Sequence, residues 1–158
     1  MAFRYLLFVF FLIIAPGAFT QERAEFFAAP VAEAGMYSRE GIALGGGAML
    51  GYGENGKAIG IRACYSTSAD LRTLEATIFL RFYLMNREDN DGLFLQAESG
   101  AAMFGRGGYM VPMEINAISL GIVCGWRFII WNPVFFECAV QAGYPNLFSA
   151  RLCMGVRF

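Results

Sequence analysis

The chain has 158 residues, room for one domain, and is 57% hydrophobic and 16% aromatic with only 16% charged residues. Its net charge of −1 excludes the basic excess of a nucleic-acid binder. It contains no His, the commonest general base and metal ligand, so no enzyme, metal site or cofactor is expected.

At the N-terminus, Arg4 precedes an unbroken apolar run from Tyr5 to Ala15, which Pro16 and Gly17 break before small residues follow. That order is the charged, apolar and small-residue sequence of a secretory signal, with cleavage fitting after Gly17 or after Thr20. The expected division is a signal peptide over residues 1–20 and a mature domain over 21–158. A spanning helix needs about 20 apolar residues, and neither this run nor any later segment supplies them.

From Gly41 onward, alternating segments follow one another between turn residues. Ile42, Leu44, Ala48, Leu50 and Tyr52 alternate with Ala43, Gly45, Gly47, Met49 and Gly51. Gly45-Gly46-Gly47 lacks the Lys-Ser/Thr of a phosphate loop and reads as small residues under a crowded interior. Asn55-Gly56 is a two-residue hairpin signal. Ile59, Ile61, Ala63 and Tyr65 then oppose Gly60, Arg62, Cys64 and Ser66, and Thr67 to Arg72 reads as a polar connection. Leu74, Ala76, Ile78, Leu80, Phe82 and Leu84 oppose Glu75, Thr77, Phe79, Arg81 and Tyr83. The acidic run Asn86 to Gly92 reads as a solvated turn rather than a cation site. Leu93, Leu95, Ala97, Ser99 and Ala101 oppose Phe94, Gln96, Glu98, Gly100 and Ala102, and Gly105 to Glu114 is the longest loop-like stretch. Ile118 to Phe128 alternates in the same way, with Ser119, Val123 and Arg127 on the second face. After Trp131-Asn132-Pro133, Phe136, Cys138, Val140, Ala142 and Tyr144 oppose Phe135, Glu137, Ala139, Gln141 and Gly143. Pro145 and Asn146 lead into the last segment, where Phe148, Ala150, Leu152, Met154, Val156 and Phe158 oppose Ser149, Arg151, Cys153, Gly155 and Arg157.

These segments make seven strands. An eighth is expected within Val31 to Ser38, with Glu33, Gly35 and Tyr37 facing in, and Pro30 is expected to limit how early it begins. The apolar faces carry no charge. The opposite faces collect Arg62, Glu75, Arg81, Glu98, Arg127, Glu137, Arg151 and Arg157, with Glu33 if the first strand is placed correctly. A soluble barrel hides its apolar face inside. Here the polar face is mostly Gly, Ala, Ser and aromatics and has no Lys, which suits a narrow interior. An Arg facing lipid costs ~2–4 kcal/mol at the midplane, so a charge-free face suits a bilayer. With Phe158 at the periplasmic rim, Tyr52, Phe82, Trp126, Phe128 and Phe136 fall at that rim, and Tyr65, Tyr144 and Phe148 at the outer one, as two aromatic girdles. Cys64 and Cys153 lie on the polar faces, Cys124 and Cys138 on the apolar ones. No two form a CxxC, so they read as small hydrophobes, with a Cys124–Cys138 cross-strand disulfide as the alternative.

Leu80 to Leu84 (LRFYL), the acidic turn and Leu93 to Ala102 (LFLQAESGAA) resemble the central hairpin of small OmpW/OmpA-type eight-stranded barrels. Ala142 to Phe158 resembles their last hairpin, and the closing Phe158 resembles the assembly signal of bacterial outer-membrane barrels. The resemblance implies an all-β, eight-stranded antiparallel up-and-down transmembrane β-barrel in the outer membrane. Its implied partners are outer-membrane lipid and the barrel assembly machinery. An eight-stranded barrel is just wide enough for side chains to fill, so five inward Arg against three or four inward Glu should pair into a packed charged lumen. Glu75, Arg81, Glu98 and Arg127 are its central members. Two roles follow: a structural barrel, or passage of small apolar molecules through an outer-mouth pocket of Phe104, Tyr109, Met110 and Val111. The alternative is a surface adhesin or host-interaction protein acting through its outer loops. A lipocalin-like soluble carrier is third and requires the apolar faces to point inward.

Overall fold

The structure is a computed structural model that describes residues 24–37, 41–68, 71–85, 89–106 and 114–158. The expected signal segment and the expected boundary at residue 20 therefore lie outside the described residues. Eight strands follow one another: β1 (Glu25–Tyr37), β2 (Gly41–Glu54), β3 (Lys57–Ser68), β4 (Leu71–Tyr83), β5 (Gly92–Arg106), β6 (Glu114–Trp131), β7 (Val134–Tyr144) and β8 (Asn146–Arg157). Each pairs antiparallel with the next and β8 pairs with β1, so the sheet closes into a barrel in sequence order.

The period-two pattern forces this shape. Successive side chains point to opposite faces of a strand, and only closure satisfies every backbone edge at once. The outer wall exposes Ile42, Leu44, Ile61, Ile122, Val140 and Leu152, while Arg62, Arg81, Arg127 and Arg151 are buried inside. The polarity is the inverse of a soluble barrel, so the lipocalin-like arrangement is ruled out. A wall of this kind is stable against lipid and not against water.

Three boundaries differ from the sequence pattern. β1 begins at Glu25, not at Val31, and carries Pro30 in its interior opposite Ala48 of β2. Pro30 is compatible with the strand because its missing N–H falls on the other side, where the ladder to β8 skips Ala29 and Pro30. Most of the polar stretch Thr67 to Arg72 is strand, since Thr67 pairs with Arg72 and Ser68 with Leu71. Of the expected loop Gly105 to Glu114, both ends are strand, since Gly105 and Arg106 pair with Arg72 and Leu71, and Glu114 with Phe104, and 107–113 lie outside the described residues. Asn55 and Gly56 both have positive φ, 51° and 76°, as a type I′ hairpin turn requires.

The closure itself uses the last residue. The Phe26 N–H donates to the Phe158 carbonyl at 2.8 Å and the Phe158 N–H donates to the Phe26 carbonyl at 2.9 Å. Aromatic side chains gather on the outer wall at this rim, with Phe26 against Tyr52 at 5.1 Å, Trp126 against Phe128 at 5.9 Å and Phe128 against Phe136 at 6.5 Å between ring centroids. All four cysteines are free, and Cys124 opposes Val140 while Cys138 opposes Trp126, so the alternative of a disulfide between them is not realised.

Inside, four phenylalanines lock neighbouring strands. Phe27, Phe79, Phe94 and Phe135 stand directly opposite Gly51, Gly60, Gly125 and Gly155. A Cβ at any of those glycines would come within 2.3 to 2.6 Å of the ring tip of its partner. Each ring reaches over the strand beside it and puts its tip in the space a side chain would occupy. That packing is why so much of the inward face is glycine.

The charged lumen as the candidate functional site

Strand pairing brings the inward charges into two linked groups. In the half away from Phe158, Arg62 of β3 reaches Glu33 of β1 at 3.2 Å, Glu75 of β4 at 3.0 Å and Glu98 of β5 at 3.0 Å. Arg151 of β8 also meets Glu33, at 3.2 Å, and holds both oxygens of Glu98. Neutral donors complete the group: Asn146 donates to Glu33 at 3.0 Å and the Ser119 hydroxyl donates to Glu75.

In the half toward Phe158, Arg81 holds Glu137 of β7 through both terminal nitrogens, at 2.6 and 3.1 Å. Arg127 of β6 donates Nε to the same carboxylate at 2.6 Å and Nη1 to Glu25 of β1 at 2.9 Å. Arg157 reaches Glu25 at 3.3 Å and the Asp89 carbonyl at 3.1 Å. Gln96 of β5 joins the halves, accepting from Arg81 Nε at 2.7 Å and donating to Glu98.

The two inner guanidiniums are also sandwiched by rings. Arg81 lies 3.9 Å from the Phe94 centroid and within 5.7 Å of Phe27, Phe79 and Tyr83. Arg127 lies 4.2 Å from Phe135 and 4.3 Å from Phe27. Desolvated cation–π contacts of this kind contribute about 2 kcal/mol each, and help to compensate two arginines that share one carboxylate. Between the halves is a cavity of about 10 Å³, lined by Arg62, Arg81, Gln96, Glu137, Met49 and Cys153 among others, with room for a single water.

Every charge that the alternating pattern points inward lies in this network, including Glu33. Glu25 is an additional member hidden by the late start expected for the first strand. Continuing the alternation Glu33, Val31, Ala29, Phe27, Glu25 back through Pro30 would have found it. With it the pairs balance at five arginines and five glutamates. Asn90 is a second omission. The run Asn86 to Gly92 is not wholly solvated, because Asn90 is 1% exposed and accepts the Gly56 N–H at 3.0 Å. Of the expected outer-mouth pocket, Phe104 stands half-buried on the inward face opposite Thr73, and Tyr109, Met110 and Val111 lie outside the described residues.

Comparison with known proteins finds no matching family model and no matching curated protein. Solved structures do match. Neisserial surface protein A aligns with a TM-score of 0.65 and 15% identity over 86% of this chain and 98% of that one. The N-terminal β-barrel domain of Pseudomonas aeruginosa OprF aligns at 0.62 and 11% identity over 87% and 98%. The fold is that of the small eight-stranded outer-membrane barrels. Ail, the attachment invasion locus protein of Yersinia pestis, aligns at 0.53 and 14% identity over 87% of this chain and all of that one. At these identities the likeness is one of architecture. What distinguishes this barrel lies in its own lumen and wall.

Proposed function

We propose that this is an integral outer-membrane barrel, closed along its axis, that serves as a structural element of the membrane wall. The observation that carries the reading is the filled lumen, where five arginines meet five glutamates across all but one of the strands, β2. Removing one member of a buried pair costs ~3–5 kcal/mol, so an ion passing through must repay several such pairs. The apolar outer wall takes lipid as its partner, and the β8 end at Phe158 suits recognition by the barrel assembly machinery. No catalysis is part of this reading.

The far rim argues against a loop-based adhesin. Between the strands that meet there lie at most seven residues, 107–113, and three or fewer in the other cases. Purified protein in planar lipid bilayers tests the closed lumen: no stable conductance steps are expected, and large, long-lived steps would overturn the reading.

A further inference from the structure

Among the described residues, Pro30 is the one proline inside a strand, since Pro133 and Pro145 lie in turns. It sits in β1 on the edge facing β8, the seam where the first and last strands close the barrel. Phe26 and Phe158 exchange both backbone hydrogen bonds, which fixes the phase of this ladder. Hydrogen-bonded pairs then recur at every second residue, so Pro30 and Met154 form such a pair. The Met154 carbonyl points at residue 30 and finds no N–H there. The ladder skips Ala29 and Pro30 while keeping the same register on both sides, as a single missing donor requires.

On the β1 side of this gap the side chains are small, against Val156, Met154 and Leu152 of β8. Outside stand Ala28, Pro30 and Ala32, and inside Ala29 faces Gly155. The ion pairs that cross the seam lie on either side of it, Glu25 with Arg157 and Glu33 with Arg151. The cavity adjoins it from within, through Val31 and Cys153. An unpaired carbonyl in hydrocarbon has no water to turn to, so the wall is locally weakest here.

We propose that the β1–β8 seam is the edge at which this barrel opens, and that it opens first at Pro30 and Met154. The inference does not depend on whether the lumen conducts ions.

Amide hydrogen exchange of the full protein in detergent micelles tests it with a control inside one strand. The amides of Leu152, Met154 and Val156 point to β1, and those of Arg151, Cys153 and Gly155 point to β7. The first set is expected to exchange at least about tenfold faster than the second. Pro30→Val restores the donor and keeps an apolar residue toward lipid, so it is expected to slow the first set about tenfold and leave the second unchanged. Equal exchange of the two sets in the wild type would overturn the proposal. So would a Pro30→Val variant in which the first set stays fast.

Discussion

Glu137→Gln is the sharpest perturbation of the lumen. The carboxylate is buried and serves two arginines, accepting from Arg81 at 2.6 and 3.1 Å and from Arg127 at 2.6 Å. The amide keeps one acceptor oxygen but removes the charge. Arg81 keeps Gln96 and Tyr83 as neutral partners, and Arg127 keeps Glu25. Breaking a buried pair costs ~3–5 kcal/mol; the rings around both guanidiniums and the retained acceptor place this variant at the low end, ~3 kcal/mol. With a urea dependence of ~2 kcal/mol/M, the midpoint falls by ~1.5 M. Unfolding from lipid vesicles, followed by the fluorescence of Trp126 and Trp131, reads the change directly. A midpoint within ~0.3 M of the wild type would refute the reasoning. The double variant Glu137→Gln with Arg81→Leu should lose less than the sum of the single losses, since the second change removes the cation that the first strands. Additive losses would mean that the pair is uncoupled.

Gly125→Ala places a Cβ 2.5 Å from the Phe94 ring and 2.6 Å from Ala139, and overpacking of that kind costs ~1–3 kcal/mol. Gly46→Ala meets only the Val31 carbonyl at 3.6 Å on the outer wall, so the same unfolding assay should show it within ~0.5 kcal/mol of the wild type. A small apolar maleimide should label the exposed Cys124 of folded protein well before the buried Cys64 and Cys153, as mass spectrometry of the labelled peptides would show. Asn90→Ala loses the bond from the Gly56 N–H at 3.0 Å and a residue suited to φ of 49°. A loss of ~1–2 kcal/mol and faster exchange of the Gly56 amide are expected.

The strands and their facing were legible because the penalty is one-sided: a charge on the lipid face is costly, so alternation survives in every segment. Pairing was not legible to the same degree. That Arg62 meets Glu33, Glu75 and Glu98 depends on how β1, β3, β4 and β5 are staggered around a closed wall, and no single segment encodes that stagger. The glycines read only as room for a crowded interior, whereas the register matches four of them one to one with a phenylalanine. Pro30 misled for a definite reason. The rule that proline ends a strand concerns one edge only, and Pro30 turns its missing donor toward β8 while pairing with β2 undisturbed. Glu25 was lost with it.

Glu25 and Glu33 also settle a question of charge that the strand patterns left open. Neither half of the lumen is neutral alone. The half away from Phe158 has Glu33, Glu75 and Glu98 against Arg62 and Arg151, one carboxylate in excess. The half toward Phe158 has Arg81, Arg127 and Arg157 against Glu25 and Glu137, one cation in excess. The neutral residues are distributed to match. In the half with the surplus carboxylate, Ser119, Asn146 and Gln96 each donate a hydrogen bond to one of its three carboxylates, Glu75, Glu33 and Glu98 in turn. In the other half, aromatic faces lie against the cations, Phe94 on Arg81 and Phe27 and Phe135 on Arg127. Exchanging the two neutral sets would leave donors pointed at cations and rings at anions, so aromatic and amide positions in the lumen are as constrained by charge as the arginines and glutamates themselves.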